Sequence, residues 1–99
     1  MAARIPIDRA KISEFCLRHH VRRLALFGSV LRDDFRPDSD VDVLVEFEPG
    51  RAPGFKFMTM EAELSDILSR RVDLQTPNSL SPYFRGRVLA EAEVQYVQA

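Results

Sequence analysis

Asp40 and Asp42 stand one residue apart at the head of a Val-rich run, Ser39-Asp40-Val41-Asp42-Val43-Leu44-Val45. Alternate residues of a strand share a face, so a strand here points both carboxylates the same way, roughly 7 Å apart along the chain. Val41, Val43, Val45 and Phe47 then share one face, and Asp40, Asp42, Leu44 and Glu46 the other. Like charges so placed repel each other and are costly to desolvate. A divalent cation between them removes that cost, and paired hard oxygen ligands suit Mg²⁺. Upstream, the apolar run Leu24-Ala25-Leu26-Phe27 breaks at Gly28-Ser29. Glycine permits a tight turn and a close approach of backbone N–H groups to a ligand. Ser29 adds a hydroxyl donor and is placed to cap a short helix, whose N-terminus would attract phosphate. Arg32, one turn later, is a candidate phosphate-binding or structural cation. A third acid, Asp73, interrupts the alternating run Val72-Asp73-Leu74-Gln75-Thr76. It has two readings: an edge-strand charge that blunts aggregation, or a carboxylate beside Asp40 and Asp42 on a neighbouring strand, roughly 5 Å away laterally.

The pattern Gly28-Ser29-x-x-Arg32-x-Asp34-x-x-x-x-Ser39-Asp40-x-Asp42-x-x-Val45 resembles the motif of the minimal nucleotidyltransferases, of the DNA polymerase β-like nucleotidyltransferase superfamily. The resemblance continues through Val72-Asp73-Leu74-x-Thr76-Pro77-x-Ser79-Leu80 and Ala90-Glu91-Ala92, so it covers roughly Val21 to the end. Leu31 departs from it, where a smaller Ala is common, and so does Ser69-Arg70, where a Gly often ends the helix. Both bear on loop shape and not on the carboxylates.

The resemblance implies a single nucleotidyltransferase domain over residues 1–99. Its fold would be α/β (α+β), a small mixed sheet of about four strands with helices packed mainly on one face. It implies Asp40, Asp42 and Asp73 as catalytic residues and metal ligands, with two Mg²⁺ ions about 3.5–4 Å apart. It implies Gly28, Ser29, Arg32 and Ser39 as nucleotide-binding residues, and Asp34 as an anchor of the loop. ATP would be the donor, its α-phosphate attacked in line by an acceptor hydroxyl. Minimal nucleotidyltransferases are typically paired with a small helical HEPN-domain protein. They act there as antitoxins, and some transfer AMP to a tyrosine of that HEPN ribonuclease toxin. The expectation is therefore an antitoxin that adenylylates its toxin. The alternative is a non-catalytic antitoxin that neutralises the HEPN partner by binding alone; a three-acid cluster, which pure binding does not need, speaks against it. A third reading is a subunit that modifies an antibiotic.

A chain of 99 residues holds one compact domain. Such a domain buries ~65% of its unfolded surface, which leaves little for a deep private pocket, and a chain of this length has no room for a separate acceptor-binding domain. A net charge of −1 argues against a stable general nucleic-acid binder. It does not argue against one nucleotide held through a metal. The one cysteine, Cys16, excludes an intrachain disulfide and fits a reducing cytoplasm. It reads as a small buried hydrophobe on the first helix. No run is apolar and long enough to span a membrane, and no signal-peptide pattern is seen. A Walker-type loop, a Ser/His/Asp set and a paired Cys/His zinc spacing are all missing. Association with itself or with the toxin is left open.

Elements that would position these residues follow from periodicity. Residues 1–7 read as a loose lead-in. Asp8 or Pro6 starts a helix to about His20, with Ile12, Phe15 and Cys16 inward. His19 and His20 point about 100° apart on a helix, a poor chelating pair, and read as exposed or capping. A strand covers Val21 to Phe27, and a short helix 30–35 turns Leu31 and Phe35 inward. Arg36-Pro37-Asp38-Ser39 is a turn. The Val-rich strand leads to a mobile loop punctuated by Pro-Gly. An amphipathic helix then runs from Phe55 to Ser69, with Phe57, Met60, Leu64, Ile67 and Leu68 on its apolar face. After the Asp73 strand, Ser81 caps a helix with Pro82 at its first position and Tyr83 to Glu91 as its body. Val94, Tyr96 and Val97 make a last strand. Leu80 to Tyr83 and the 48–58 loop are candidate partner surfaces.

Overall fold

Asp8 starts the first helix, its carboxylate accepting from the Lys11 backbone N–H at 3.1 Å. The computed structural model describes residues 5–98, with α1 (Arg9–Arg18), β1 (Val21–Phe27), β2 (Val41–Phe47), α2 (Phe57–Leu68), β3 (Val72–Gln75), α3 (Arg85–Glu91) and β4 (Glu93–Val97) in chain order. The strands form one sheet in the order β3-β2-β1-β4. β1 runs antiparallel to β2 and β4, whereas β2 and β3 are parallel. Parallel neighbours need a long crossover, and α2 supplies it. The fold is thus a single α+β unit with a mixed four-stranded sheet, as expected.

One face of the sheet carries the core. Ile12, Phe15 and Cys16 of α1 and Met60, Leu64 and Leu68 of α2 pack with Val41, Val43 and Val45 of β2 and with Leu24 and Leu26 of β1. The opposite face presents Asp42 and Asp73. Its own apolar content is small: Ala25 and Leu44, cross-strand partners, are buried there outside the main cluster. The lead-in is tighter than the sequence reading has it. Ile5 is buried and Ile7 packs on the core, because the cluster needs cover beyond the N-terminus of α1. The rest of the lead-in, residues 1–4, lies outside the described residues.

Three boundaries differ from the periodic reading. The short helix predicted over 30–35 is a 3-10 turn at Gly28–Leu31, and Phe27 rather than Ser29 holds its cap position, with no side-chain cap. Gly28 takes φ +77°, a conformation open to glycine, so the chain turns two residues early. α2 begins at Phe57 after a 3-10 turn at Gly54–Lys56, leaving Phe55 fully exposed. α3 begins at Arg85. Ser81 still serves the turn before it, its hydroxyl accepting from the Tyr83 N–H and its carbonyl from the Phe84 and Arg85 N–H groups. Among the described residues no helix is long and apolar enough to cross a membrane.

Candidate active site

The three acids converge where β1 ends and β2 and β3 begin. Parallel register sets Asp42 directly beside Asp73, which is the neighbouring-strand reading of Asp73. β3 is nevertheless an edge strand, and its outward backbone is closed by α2. Glu61 accepts from the Leu74 N–H at 2.9 Å and Ser65 from the Val72 N–H at 3.1 Å. Asp40 sits just before β2, half-exposed, and pairs with Arg71 at 3.3 Å. Asp73 accepts a hydrogen bond from the Gln75 amide at 2.9 Å.

Asp42 feels the crowding most. Burial first, then the charges of Asp73 and Asp40, push its carboxyl up to about 6, and Arg32 partly offsets them. Gly28 lies against the same carboxylate. A Cβ built on Gly28 would run into Asp42 Oδ2, the end of a side chain that can turn aside, so the left-handed φ is what demands glycine there. Phe27 is the cross-strand partner of Asp42, and this register carries Gly28 to the acid.

The other expected residues divide. Ser29, half-buried, lies in the 3-10 turn beside Gly28. Arg32 follows it, its backbone N–H bonded to the Ser29 carbonyl and its guanidinium held by Asp34 at 3.3 Å. Both side chains of that ion pair are exposed. Ser39 stands apart: its hydroxyl accepts from the Arg36 N–H at 3.1 Å and closes the turn that presents Asp40. This contact positions the turn, and Ser39 is not among the residues that line the pocket beside Gly28.

That pocket has a volume of about 490 Å³. Phe27, Gly28, Leu31 and Arg32 line it from β1 and the 3-10 turn, and Arg87, Val88 and Glu91 line it from α3. Sequence reasoning missed the α3 residues, as well as Arg71 and Gln75. Arg87 and Glu91 have ordinary helix-surface spacing, and nothing in it points to a pocket. The histidines stay outside the site. His19 is the C-cap of α1, as the capping reading has it, with its ring packed at a tilt on Phe15 and 3.0 Å from Glu63.

The donor set fits a divalent cation in type: hard carboxylate oxygens, mutually repelling, beside the glycine of a 3-10 turn. Among the described residues no three acids, histidines or cysteines stand as a finished metal cage. Asp40 is paired with Arg71, and Asp73 with the Gln75 amide.

A family profile described as a nucleotidyltransferase domain matches residues 9–94. The protein adenylyltransferase MntA of Thermococcus cleftensis is 41% identical over 75 residues, which cover 75% of this chain and 74% of that protein. A solved structure, provisionally named a minimal nucleotidyltransferase, is 39% identical with a TM-score of 0.70, over 85% of each chain. A second solved structure holds a tri-AMPylated HEPN toxin of Shewanella oneidensis in complex with its MNT antitoxin. It matches at a TM-score of 0.63 and 20% identity, over 91% of this chain and 70% of that one, a likeness of fold.

Proposed function

The chain belongs to the nucleotidyltransferase domain family, and from that premise we propose that it transfers AMP from ATP to a tyrosine hydroxyl of a cognate HEPN ribonuclease toxin and so neutralises it. The observation that carries the reading is the contact of Gly28 with Asp42, itself in register with Asp73. A phosphate-binding turn and a pair of acids meet with no side chain between them. The protein adenylyltransferase relative and the fold-level likeness to an MNT antitoxin bound to a tri-AMPylated HEPN toxin support AMP transfer to a protein and a HEPN toxin as the partner.

Each residue then has a task. The backbone N–H groups at Gly28-Ser29 and the Ser29 hydroxyl hold the outer phosphates of ATP, and Arg32 steadies their charge. Asp40, Asp42 and Asp73 would hold Mg²⁺, two ions in the expected count, with Asp40 giving up Arg71 to do so. When bound, Mg²⁺ neutralises the crowded carboxylates and phosphates and polarises the α-phosphate. Asp73 takes the proton from the tyrosine Oη. That oxygen forms a bond to the α-phosphorus in line with the breaking Pα–O bond, and pyrophosphate leaves with its electron pair. Positioning and charge neutralisation suffice for this kind of transfer.

The test is label transfer. The protein is incubated with its HEPN partner, Mg²⁺ and ATP labelled at the α-phosphate, beside an Asp40→Asn control. Label on the partner with wild type alone, mapped to a tyrosine, is the expected result. No label, alongside a stable complex that still neutralises the toxin, would replace this reading with a binding antitoxin.

A further inference from the structure

We propose that a basic depression between the 32–37 loop and Arg70 docks the partner protein by one of its acidic side chains, with Arg36 and Arg70 as the receiving groups. This rests on the reading above of a protein partner and goes beyond it to the surface that holds it. The depression has a volume of about 250 Å³ and is lined by Arg32, Asp33, Phe35, Arg36, Pro37 and Arg70. It shares only Arg32 with the pocket beside Gly28. Both of its walls run on into Asp40. Arg36-Pro37 leads there through the turn that Ser39 closes, and Arg71, next to Arg70, pairs with Asp40 at 3.3 Å. A protein docked here is therefore carried to the acids. The 48–58 surface expected from the sequence follows the other end of β2, a seven-residue strand roughly 20 Å long.

The state of the arginines points the same way. Arg32 is held by Asp34 and Arg71 by Asp40. Arg36 and Arg70 form no ion pair among the described residues, although both line the depression. Arg70 is nevertheless fixed in place: its guanidinium donates to the Pro37 carbonyl at 3.2 Å and lies over the Phe35 ring, 5.2 Å from its centroid. A guanidinium carries five donors in a planar fork that matches a carboxylate, and one carbonyl leaves most of the Arg70 fork unused. Arg36 is exposed and is tied down by its backbone N–H, which donates to Ser39 Oγ. An anion between the two cations relieves their repulsion and completes both. The acids nearby decide which anion. Asp33 lines the same depression, and Asp34 and Asp38 flank it in sequence. They repel a polyanion such as RNA, whose phosphates come in an unbroken row. One carboxylate on a polypeptide, with Phe35 and Pro37 to cover its apolar stem, meets the two arginines without that repulsion.

Association of the full chain with its HEPN partner is measured calorimetrically without ATP, for wild type, Arg36→Glu, Arg36→Lys and Arg70→Glu, and a single-stranded RNA oligonucleotide is titrated in parallel. Arg36 is exposed, so Arg36→Glu should keep its melting temperature and its affinity for ATP. Its affinity for the partner should fall about fivefold or more, a loss that shrinks at high salt. Arg36→Lys keeps the charge and loses the fork, and its affinity should lie between the two. Solvated surface arginines would leave association untouched, so unchanged partner affinity in both Arg36→Glu and Arg70→Glu overturns the docking site. RNA binding lost in Arg36→Glu, with partner binding unchanged, gives the depression to a polyanion and overturns it as well. Wild type that binds no HEPN partner overturns this proposal and the partner reading together. Weakened association in Arg36→Glu, with no label ever reaching the partner, supports the docking surface and sinks only the transfer.

Discussion

The Asp42 carboxyl holds its proton to about pH 6 in the folded chain, against 3.8 ordinarily, through burial and the charges of Asp73 and Asp40. Between those values the unfolded chain binds fewer protons than the folded one. The contribution of Asp42 to stability is therefore full below 3.8, falls as pH rises toward 6 and is flat above. Asp42→Asn removes that fall. In chelator the variant should melt at or above the wild-type temperature at neutral pH, and added Mg²⁺ should raise the melting temperature of wild type alone. Transfer by the variant should drop by ~100-fold or more, since a metal site supplies several kcal/mol at the transition state. A variant that melts lower than wild type in chelator at neutral pH would contradict the crowding. Gly28→Ala tests the same contact from the other side. The added Cβ meets Asp42 Oδ2 in a left-handed backbone, so the fold should lose about 1–2 kcal/mol by chemical denaturation and transfer should fall much further. Burial raises the Cys16 thiol to about 12, and alkylation at pH 8 should await unfolding. The acids were legible from spacing alone. Arg71 and Gln75 were not, because their contacts with Asp40 and Asp73 depend on strand register and on rotamers.

Among the elements, β3 shows what periodicity leaves out. It is a short edge strand, and an open edge invites pairing with other chains. Here α2 covers the edge with side chains: Glu61 on the Leu74 N–H and Ser65 on the Val72 N–H. Glu61→Ala leaves a half-buried N–H without its charged partner, which should cost about 1.5–3 kcal/mol and increase aggregation on mild heating. Unchanged denaturation would show that the edge needs no cover. The end of α2 is strained in a second way. Ser69 adopts φ +53°, with its N–H bonded to the Asp66 carbonyl, where a glycine would sit without penalty. Ser69→Gly should gain about 1 kcal/mol, several degrees in melting temperature for a domain this size. The missing glycine was visible in the sequence, and its structural meaning was the left-handed cap. Helix bodies were legible as well. Their starts slipped, because 3-10 turns at Gly54–Lys56 and a turn over Ser81 and Phe84 satisfy the same N–H groups that a helix would.

At the scale of the whole molecule, the sheet separates two jobs. One face buries the core against α1 and α2, while the other brings three acids and a glycine turn to the same end. Topology explains why the acids meet: β2 and β3 are parallel neighbours that start together, and β1 delivers Gly28 as it ends. The Val-rich run and the Asp73 strand announced a sheet, and the family pattern announced their neighbourhood. The pocket wall on α3 stayed hidden, since a helix with none of its seven residues buried leaves no periodic mark. In the proposed function, this end of the sheet moves AMP onto a partner. The deciding measurement is the intact mass of the HEPN partner, purified after co-expression with wild type or with Asp42→Asn. A partner heavier by one or more AMP units with wild type, and unmodified with Asp42→Asn, is the expected result. An unmodified partner in both, or an equally modified one with the variant, would overturn the proposal.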